Sequence, residues 1–144
     1  MKHSDILEAL LVSSNRLIRI AAQGTGSSTP AAIWRTLSIL ENEGAMRVGE
    51  LATASRITQP GMTRILITMV EDETVSRIAD TDDSRAWRID ITAKGHNALL
   101  AWRRQLSESL EPRFDSLADD DWALLARAAD LLASRTLTDA AVAR

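Results

Sequence analysis

Ile6, Leu7, Leu10, Leu11, Leu17, Ile18 and Ala21 recur at helical spacing, which gathers apolar side chains on one face. An amphipathic helix is expected over residues 5–22, with Gly24 to Ser28 breaking it. A second helix opens at Thr29-Pro30. A threonine hydroxyl can take a free N–H at a helix start, and proline suits the first helical position because its missing N–H has no partner there. Ile33, Trp34, Leu37 and Leu40 form the apolar stripe of that helix, and Gly44 is its stop.

Two shorter helices follow. Residues 49–55 carry Leu51 and Ala52 on one face, Arg56-Ile57 makes a tight turn, and Thr58 is placed to cap the next helix. There Met62, Ile65, Leu66, Met69 and Val70 fall at i, i+3, i+4, i+7 and i+8, leaving Gln59, Thr63, Arg64, Ile67 and Thr68 on the opposite face. Pro60 and Gly61 are compatible with a helix because they lie in its first turn. The period then changes. Residues 74–79 are β-compatible, and Trp87, Ile89 and Ile91 alternate with Arg88 and Asp90 as in a half-buried strand. The polar run Asp80-Thr81-Asp82-Asp83-Ser84-Arg85 between them reads as the tip of a wing hairpin. Thr92 can cap a long helix that carries Leu99, Leu100, Trp102, Leu106 and Leu110 and ends near Pro112. A last helix spans residues 118–134, with Leu124, Leu125, Ala128, Leu131 and Leu132 as its stripe. Asp119, Asp120 and Asp121 in its first turn complement the positive end of the helix dipole.

The expected class is therefore mainly α with a small β-hairpin wing. A winged helix-turn-helix core at residues 46–95 is joined by N- and C-terminal helices, 5–22 and 92–134, that exceed what such a core needs. Two strongly apolar helical ends on a small domain point to a symmetric dimer.

A helix that enters the major groove must expose short polar or charged side chains near its N-terminus. Gln59, Thr63 and Arg64 meet that requirement. Arginine can donate bidentately to guanine O6/N7, and glutamine can pair with adenine N6/N7. Gly61 lets the backbone approach a phosphate, which a helix N-terminus also favours. In the wing, Arg85 can reach into a minor groove, Asp83 can brace it by an ion pair, and Arg77 can serve a phosphate. Each feature has a plainer reading, a helix that is merely polar outside and a solvated acidic turn. Asp80, Asp82 and Asp83 outnumber Arg85 and would repel DNA if they faced it unpaired. A Ca²⁺ loop is not expected, because the Gly and terminal Glu of that spacing are absent.

Residues 47–95 resemble the MarR family of bacterial transcriptional regulators. The resemblance rests on Glu50-Leu51-Ala52, Thr58 and Thr63-Arg64, then on Asp80-Thr81-Asp82-Asp83-Ser84-Arg85, which matches the family's wing pattern. Ile91-Thr92-Ala93-Lys94-Gly95 looks like the family's opening to its long dimerisation helix. The resemblance implies one domain over 1–144, with a DNA-binding lobe at 30–95 and a helical dimerisation region at 1–22 and 96–144. It implies an obligate homodimer that addresses the half-sites of a palindromic double-stranded operator, most often as a repressor. Thr58, Gln59, Pro60, Gly61, Thr63 and Arg64 then fall on the recognition helix, and Arg77, Asp83, Ser84 and Arg85 on the wing. Small aromatic or phenolic anions often release family members from DNA. Two positions depart from the pattern. Glu73 stands where the family usually has glycine before the first wing strand, and glutamate is poor at a left-handed position. That helix end and strand start are thus least secured by the pattern. Ser84 stands where a second arginine is frequent, which removes one wing cation.

Composition sharpens this reading. A chain of 144 residues fits one domain. Its 17 Lys+Arg against 20 Asp+Glu give −3, which alone argues against nucleic acid. Residues 46–95 carry seven basic and eight acidic groups, and residues 96–144 six and eight. Between Glu50 and Glu71 lie Arg56 and Arg64 and no acid. Much of the excess acid thus sits away from the proposed DNA face. With no Tyr and one Phe, the chain lacks the aromatic supply of a single-strand binder. With no cysteine there is no disulfide, thiolate zinc site or redox thiol. His3 and His96 fit no metal or acid–base spacing, and no Ser/His/Asp grouping or phosphate loop occurs. No enzyme activity, metal or cofactor is expected. A cytoplasmic protein without a membrane partner is expected, because the first 15 residues lack signal-peptide order and no apolar run reaches the ~18 residues of a membrane span. Trp34 and Trp102 are candidate stacking contacts for an aromatic effector, although tryptophan at stripe spacing usually packs a core. The rival reading is a winged ligand-binding or protein-interaction module without DNA function, motivated by the acidic balance and the poor wing charge.

Overall fold

Where apolar residues recur at helical spacing the chain coils, and where the period falls to two it extends. In a computed structural model, which describes residues 1–83 and 85–138, the elements run α1 (His3–Thr25), α2 (Ala31–Glu43), β1 (Met46–Arg47), α3 (Val48–Ser55), α4 (Gln59–Glu71), β2 (Val75–Ala79), β3 (Trp87–Ile91), α5 (Ala93–Phe114) and α6 (Asp119–Thr136). The fold is mainly α with a small antiparallel wing, as expected. The described residues form two compact units, 1–28 with 101–124, and 29–100 with the chain from 125 onward.

The second unit is built around one core. Leu37 and Leu40 of α2, Leu51 and Ala52 of α3, Met62, Leu66 and Met69 of α4, Val75 of β2, Ile89 of β3 and Leu99 of α5 are all buried. These are the stripe positions of their elements, and each fully buried aliphatic side chain stabilises by about 1.5–3 kcal/mol before chain entropy is set against it. His96 Nδ1 sits 2.8 Å from Glu41 Oε2, joining the start of α5 to the end of α2.

The sheet has order β1-β3-β2. Its first strand is absent from the periodicity, because two residues are too short to show alternation. Met46 pairs with Ile89 and Arg47 with Arg88 across β1 and β3, while Val75 pairs with Ile91 and Ala79 with Trp87 across β2 and β3. Strand β2 starts at Val75, one residue later than the pattern indicates. The cause is the turn before it. Glu73 holds φ +61°, the left-handed conformation that the family usually gives to glycine. The Thr74 N–H and hydroxyl both donate to Met69 O, at 3.0 and 3.1 Å, and Thr92 Oγ1 donates to Glu73 O at 2.6 Å. These bonds fix Glu73 in a conformation that costs an L-residue about 1–2 kcal/mol.

Thr92 also caps α5, accepting the Gly95 N–H at 3.0 Å. A Cβ on Gly95 would lie 2.1 Å from Thr74 O, so glycine is required by close approach of two backbones. Other boundaries differ from the pattern. Helix α1 extends beyond residues 5–22 at both ends, and Gly26 at φ +68° ends it. Gly24 stays helical, and a Cβ there would come within 3.1 Å of Ser109 Cβ in the same unit. Pro30, not Thr29, occupies the N-cap position of α2, and no side-chain cap hydrogen bond forms there. Pro112 lies inside the last turn of α5, which ends at Phe114.

Within the first unit, Ser109 Oγ lies 2.9 Å from Ala21 O. The Phe114 and Trp122 ring centroids are 6.1 Å apart. Ala21 is the one buried residue of α1, and α6 has none. Leu7, Leu11 and Ile18 on α1 and Leu124 and Leu131 on α6 are all at least 59% exposed.

Candidate nucleic-acid interface

The site begins with a turn. Helix α3 ends at Ser55, and Arg56 takes φ +59°. The Ile57 N–H returns to Ala52 O at 3.1 Å, which sets the direction of the next helix. Thr58 then caps α4, its hydroxyl accepting the Gly61 N–H at 3.2 Å. Pro60 occupies the first turn, where a missing N–H leaves no bond unmade. Met62, Leu66 and Met69 face the core, so Gln59, Thr63, Arg64, Ile67 and Thr68 are exposed.

These groups lean on their own helix. Thr63 Oγ1 donates to Gln59 O at 3.0 Å, and Arg64 Nε donates to Pro60 O at 3.4 Å. Gln59 Oε1 lies against Gly49 at the start of α3. Thr58 and Pro60 are exposed, whereas Gly61 is half-buried, and a Cβ there would come within 3.1 Å of the Thr58 hydroxyl.

The wing stands beside this helix. Arg77 on β2 is exposed and shares a cleft of about 120 Å³ with Thr63 and Leu66 of α4, Val48 of α3, and Trp87 and Ile89 of β3. The structure thus brings Arg77 and Thr63 together. Asp83 and Arg85 are both exposed at the tip. The expected ion pair between them is replaced by another contact, in which Asp83 Oδ1 accepts the backbone N–H of Arg85 at 3.0 Å. A carboxylate two residues upstream is better placed for a local turn bond than for a long guanidinium. Ser84 lies outside the described residues.

One constellation is not visible in the sequence pattern. Asp80 does not join the acidic surface of the tip. Its side chain is fully buried, and Oδ2 receives Arg47 Nε at 2.6 Å and Arg88 Nε at 3.3 Å, while Oδ1 accepts the Asp82 N–H at 2.8 Å. The Arg47 guanidinium, then the Asp82 N–H and Arg88, hold this carboxyl well below the usual carboxylate range, against the opposing effect of burial. Asp80 in turn raises the Arg47 guanidinium above its ordinary value. Arg47 and Asp80 are 33 residues apart, and their contact depends on the short strand β1. The available signal is parity, since Asp80 lies two residues beyond Ile78, the cross-strand partner of Arg88.

The remaining candidates are placed individually. Trp34 on α2 is half-buried and packs against the core of its unit. Trp102 on α5 is also half-buried. Among the described residues no group of three or more His, Asp or Glu side chains is arranged to hold a metal ion, and no helix is long and apolar enough to cross a membrane.

This arrangement has known counterparts. A family model described as the MarR family matches residues 31–87. The HTH-type transcriptional regulator ML2140 of Mycobacterium leprae is 34% identical over 96 residues, 67% of each chain. The HTH-type transcriptional regulator YpoP of Bacillus subtilis is 32% identical over 89 residues, 62% of this chain and 63% of its own. The solved transcriptional regulator Tm0710 of Thermotoga maritima is similar with a TM-score of 0.72 at 17% identity, covering 91% of this chain and 93% of that one. Wild-type MarR of E. coli in its apo form is similar with a TM-score of 0.64 at 15% identity, covering 92% and 97%. At these identities the structural likeness is one of fold.

Proposed function

The chain belongs to the MarR family of DNA-binding transcriptional regulators, and from that premise we propose that it is a cytoplasmic, homodimeric repressor that a small aromatic or phenolic effector releases from a palindromic operator. The observation that carries this reading is the exposed polar edge of α4, Gln59, Thr63 and Arg64, with Arg77 of the wing across the cleft that Thr63 lines. Such an edge suits the major groove, where Arg64 can donate to a guanine and Gln59 can pair with an adenine. Thr58, Pro60 and Gly61 set the N-terminus of α4 against a phosphate, and Arg85, positioned through the Asp83 turn bond, serves the minor groove.

The dimer follows from the apolar stripes of α1 and α6, in the region 1–22 and 96–144. A two-fold pairing of these helices would present two α4 helices to one face of DNA, spaced by one helical turn of ~34–36 Å or a multiple of it. An effector that alters this spacing lowers affinity without touching a DNA contact. Trp34 and Trp102 are the aromatic surfaces proposed for it.

The test is a gel shift on the intergenic DNA upstream of the chain's own gene, repeated across salt concentrations. The reading requires log K to fall steeply with log salt. Arg64→Ala is expected to relax base preference at one position of each half-site by about 1–3 kcal/mol, and Arg85→Ala to weaken specific binding with the fold intact. A flat salt response would instead favour a winged interaction module, the reading that the exposed carboxylates of Asp82 and Asp83 support.

A further inference from the structure

Arg47 and Arg88 are directly opposite each other on β1 and β3, so their side chains leave the same face of the sheet. Both give Nε to one oxygen of the buried Asp80. A guanidinium carries five N–H donors, so among the described residues each retains the donors of its two terminal nitrogens. The two side chains are 43% and 35% exposed. Among the described residues Asp80 is the one carboxylate within ion-pair distance of either. The cluster thus holds two cations braced at their inner edge by one buried anion, with the Asp83 and Glu50 carboxylates beyond ion-pair distance but still acting on Arg47.

We propose that Arg47 and Arg88, oriented by Asp80, form a phosphate site for the DNA backbone at the junction of α3 and the wing, distinct from the recognition helix. The inference rests on the DNA-binding reading above. One position supports it. Arg47 immediately precedes α3, the first helix of the helix-turn-helix, and that helix crosses the DNA backbone in this mode of docking. Arg88, its cross-strand partner, leaves the face of β3 opposite to Trp87 and Ile89, which line the cleft beside α4. Guanidinium groups bind phosphate oxygens through paired N–H donors. Side chains already held in place lose less freedom on binding than free ones.

The proposal gives Asp80 an unusual sign. A carboxylate near DNA ordinarily repels it, yet this one serves binding by fixing two arginines as a positioning residue. Removing its charge makes the chain less acidic and should still weaken binding.

The experiment measures anisotropy of a labelled mixed-sequence duplex, titrated with the full chain over a series of KCl concentrations, and repeats it with the upstream intergenic duplex. Arg47→Ala and Arg88→Ala are each expected to flatten the slope of log K against log salt by about 0.9 for every phosphate that is no longer neutralised. Arg88→Lys keeps the charge and should keep the slope. It also guards against a folding defect, which circular dichroism of each variant will reveal. Asp80→Asn is expected to weaken binding to both duplexes, roughly tenfold if it removes the equivalent of one charge-assisted hydrogen bond to phosphate. Tighter binding by Asp80→Asn, or an unchanged slope in folded Arg47→Ala and Arg88→Ala beside a steep parental slope, overturns the phosphate site and leaves the DNA reading standing. A parent that binds neither duplex at low salt overturns both.

Discussion

The winged lobe and the helical arms use the same residue types to opposite ends. In the lobe, Leu37, Leu40, Leu51 and Met62 are fully buried by other residues of the same chain. On α1, Leu7, Leu11 and Ile18 repeat at equal regularity and stay at least 59% exposed. Helix α6 is amphipathic over 18 residues without one buried side chain. Hydrophobic periodicity thus specifies which face of a helix is apolar and not what covers it. For the lobe the cover is internal. For the arms, an apolar stripe of this length on a monomer marks an interaction surface, and a second copy of the chain is the proposed cover.

The largest effects should separate these regions. Leu37→Ala removes a fully buried side chain and is expected to lower the unfolding free energy by about 2–5 kcal/mol. That destabilisation belongs to the fold and should be the same at every protein concentration. Leu11→Ala removes a side chain that is 67% exposed. Its effect should appear in association, as a dimer that dissociates at higher protein concentration in sedimentation and a melting temperature that depends more strongly on concentration. If both variants show the same concentration dependence, the distinction between a closed lobe and an open arm fails.

Next in size is a change at the seam where the wing meets α5 inside the lobe. Gly95→Ala puts a methyl group on Thr74 O, a backbone atom that cannot swing aside. Overpacking of this kind costs about 1–3 kcal/mol, read as a lower urea midpoint. An alanine at Gly26, with open space around it, should show only the smaller strain of its left-handed φ.

The pH response of the lobe provides a third separation. The bonds from Arg47, Asp82 and Arg88 hold the folded Asp80 carboxyl below its unfolded value, which is ~3.9 for an ordinary aspartate. A depressed folded pKa gives stability that is complete above the unfolded value and is lost as pH falls through the folded one. The difference in stability between the parent and Asp80→Asn should therefore be constant from neutral pH down to about 5 and shrink below about 4. Urea melts across that range read it. A difference that shrinks between pH 7 and 5 would place the effect on another group.

What is legible in the sequence follows the reach of each interaction. The caps at Thr58 and Thr92 each close a bond over three residues, so local residue order suffices to find them. The stripe of α4 and its exposed edge are likewise periodic and local. The family's wing pattern places Arg77, Asp83 and Arg85 on the hairpin, but the partner of Asp83 requires geometry. Strand β1 is invisible at two residues, and with it the contact between Arg47 and Asp80. Gly24 reads as a break because glycine weakens helices by about 1 kcal/mol. The helix runs through it, and Ser109 packs where a side chain would stand. At Thr29 a favourable cap residue is overridden by the proline after it, which takes the cap position itself.

The smallest expected effect tests a place where sequence and conformation disagree. Glu73 ends α4 in a left-handed conformation at φ +61°, although its residue type resists it. Its ion pair with Lys94, at 3.9 Å between side chains that are both mostly exposed, offers little in return. The conformation survives because Thr74 and Thr92 hold it from both sides. Glycine adopts it without strain, although it has more freedom to lose from the unfolded chain. Glu73→Gly should therefore stabilise the lobe by about 1 kcal/mol or less, the left-handed penalty reduced by that entropy. Because the backbone bonds remain, the wing should keep its position and DNA affinity should not change. A stabilised variant with altered affinity would mean that strain at Glu73 is transmitted to the wing and tunes its contact with DNA. A destabilised variant would mean that the Glu73 side chain supports the lobe through more than its weak pair with Lys94.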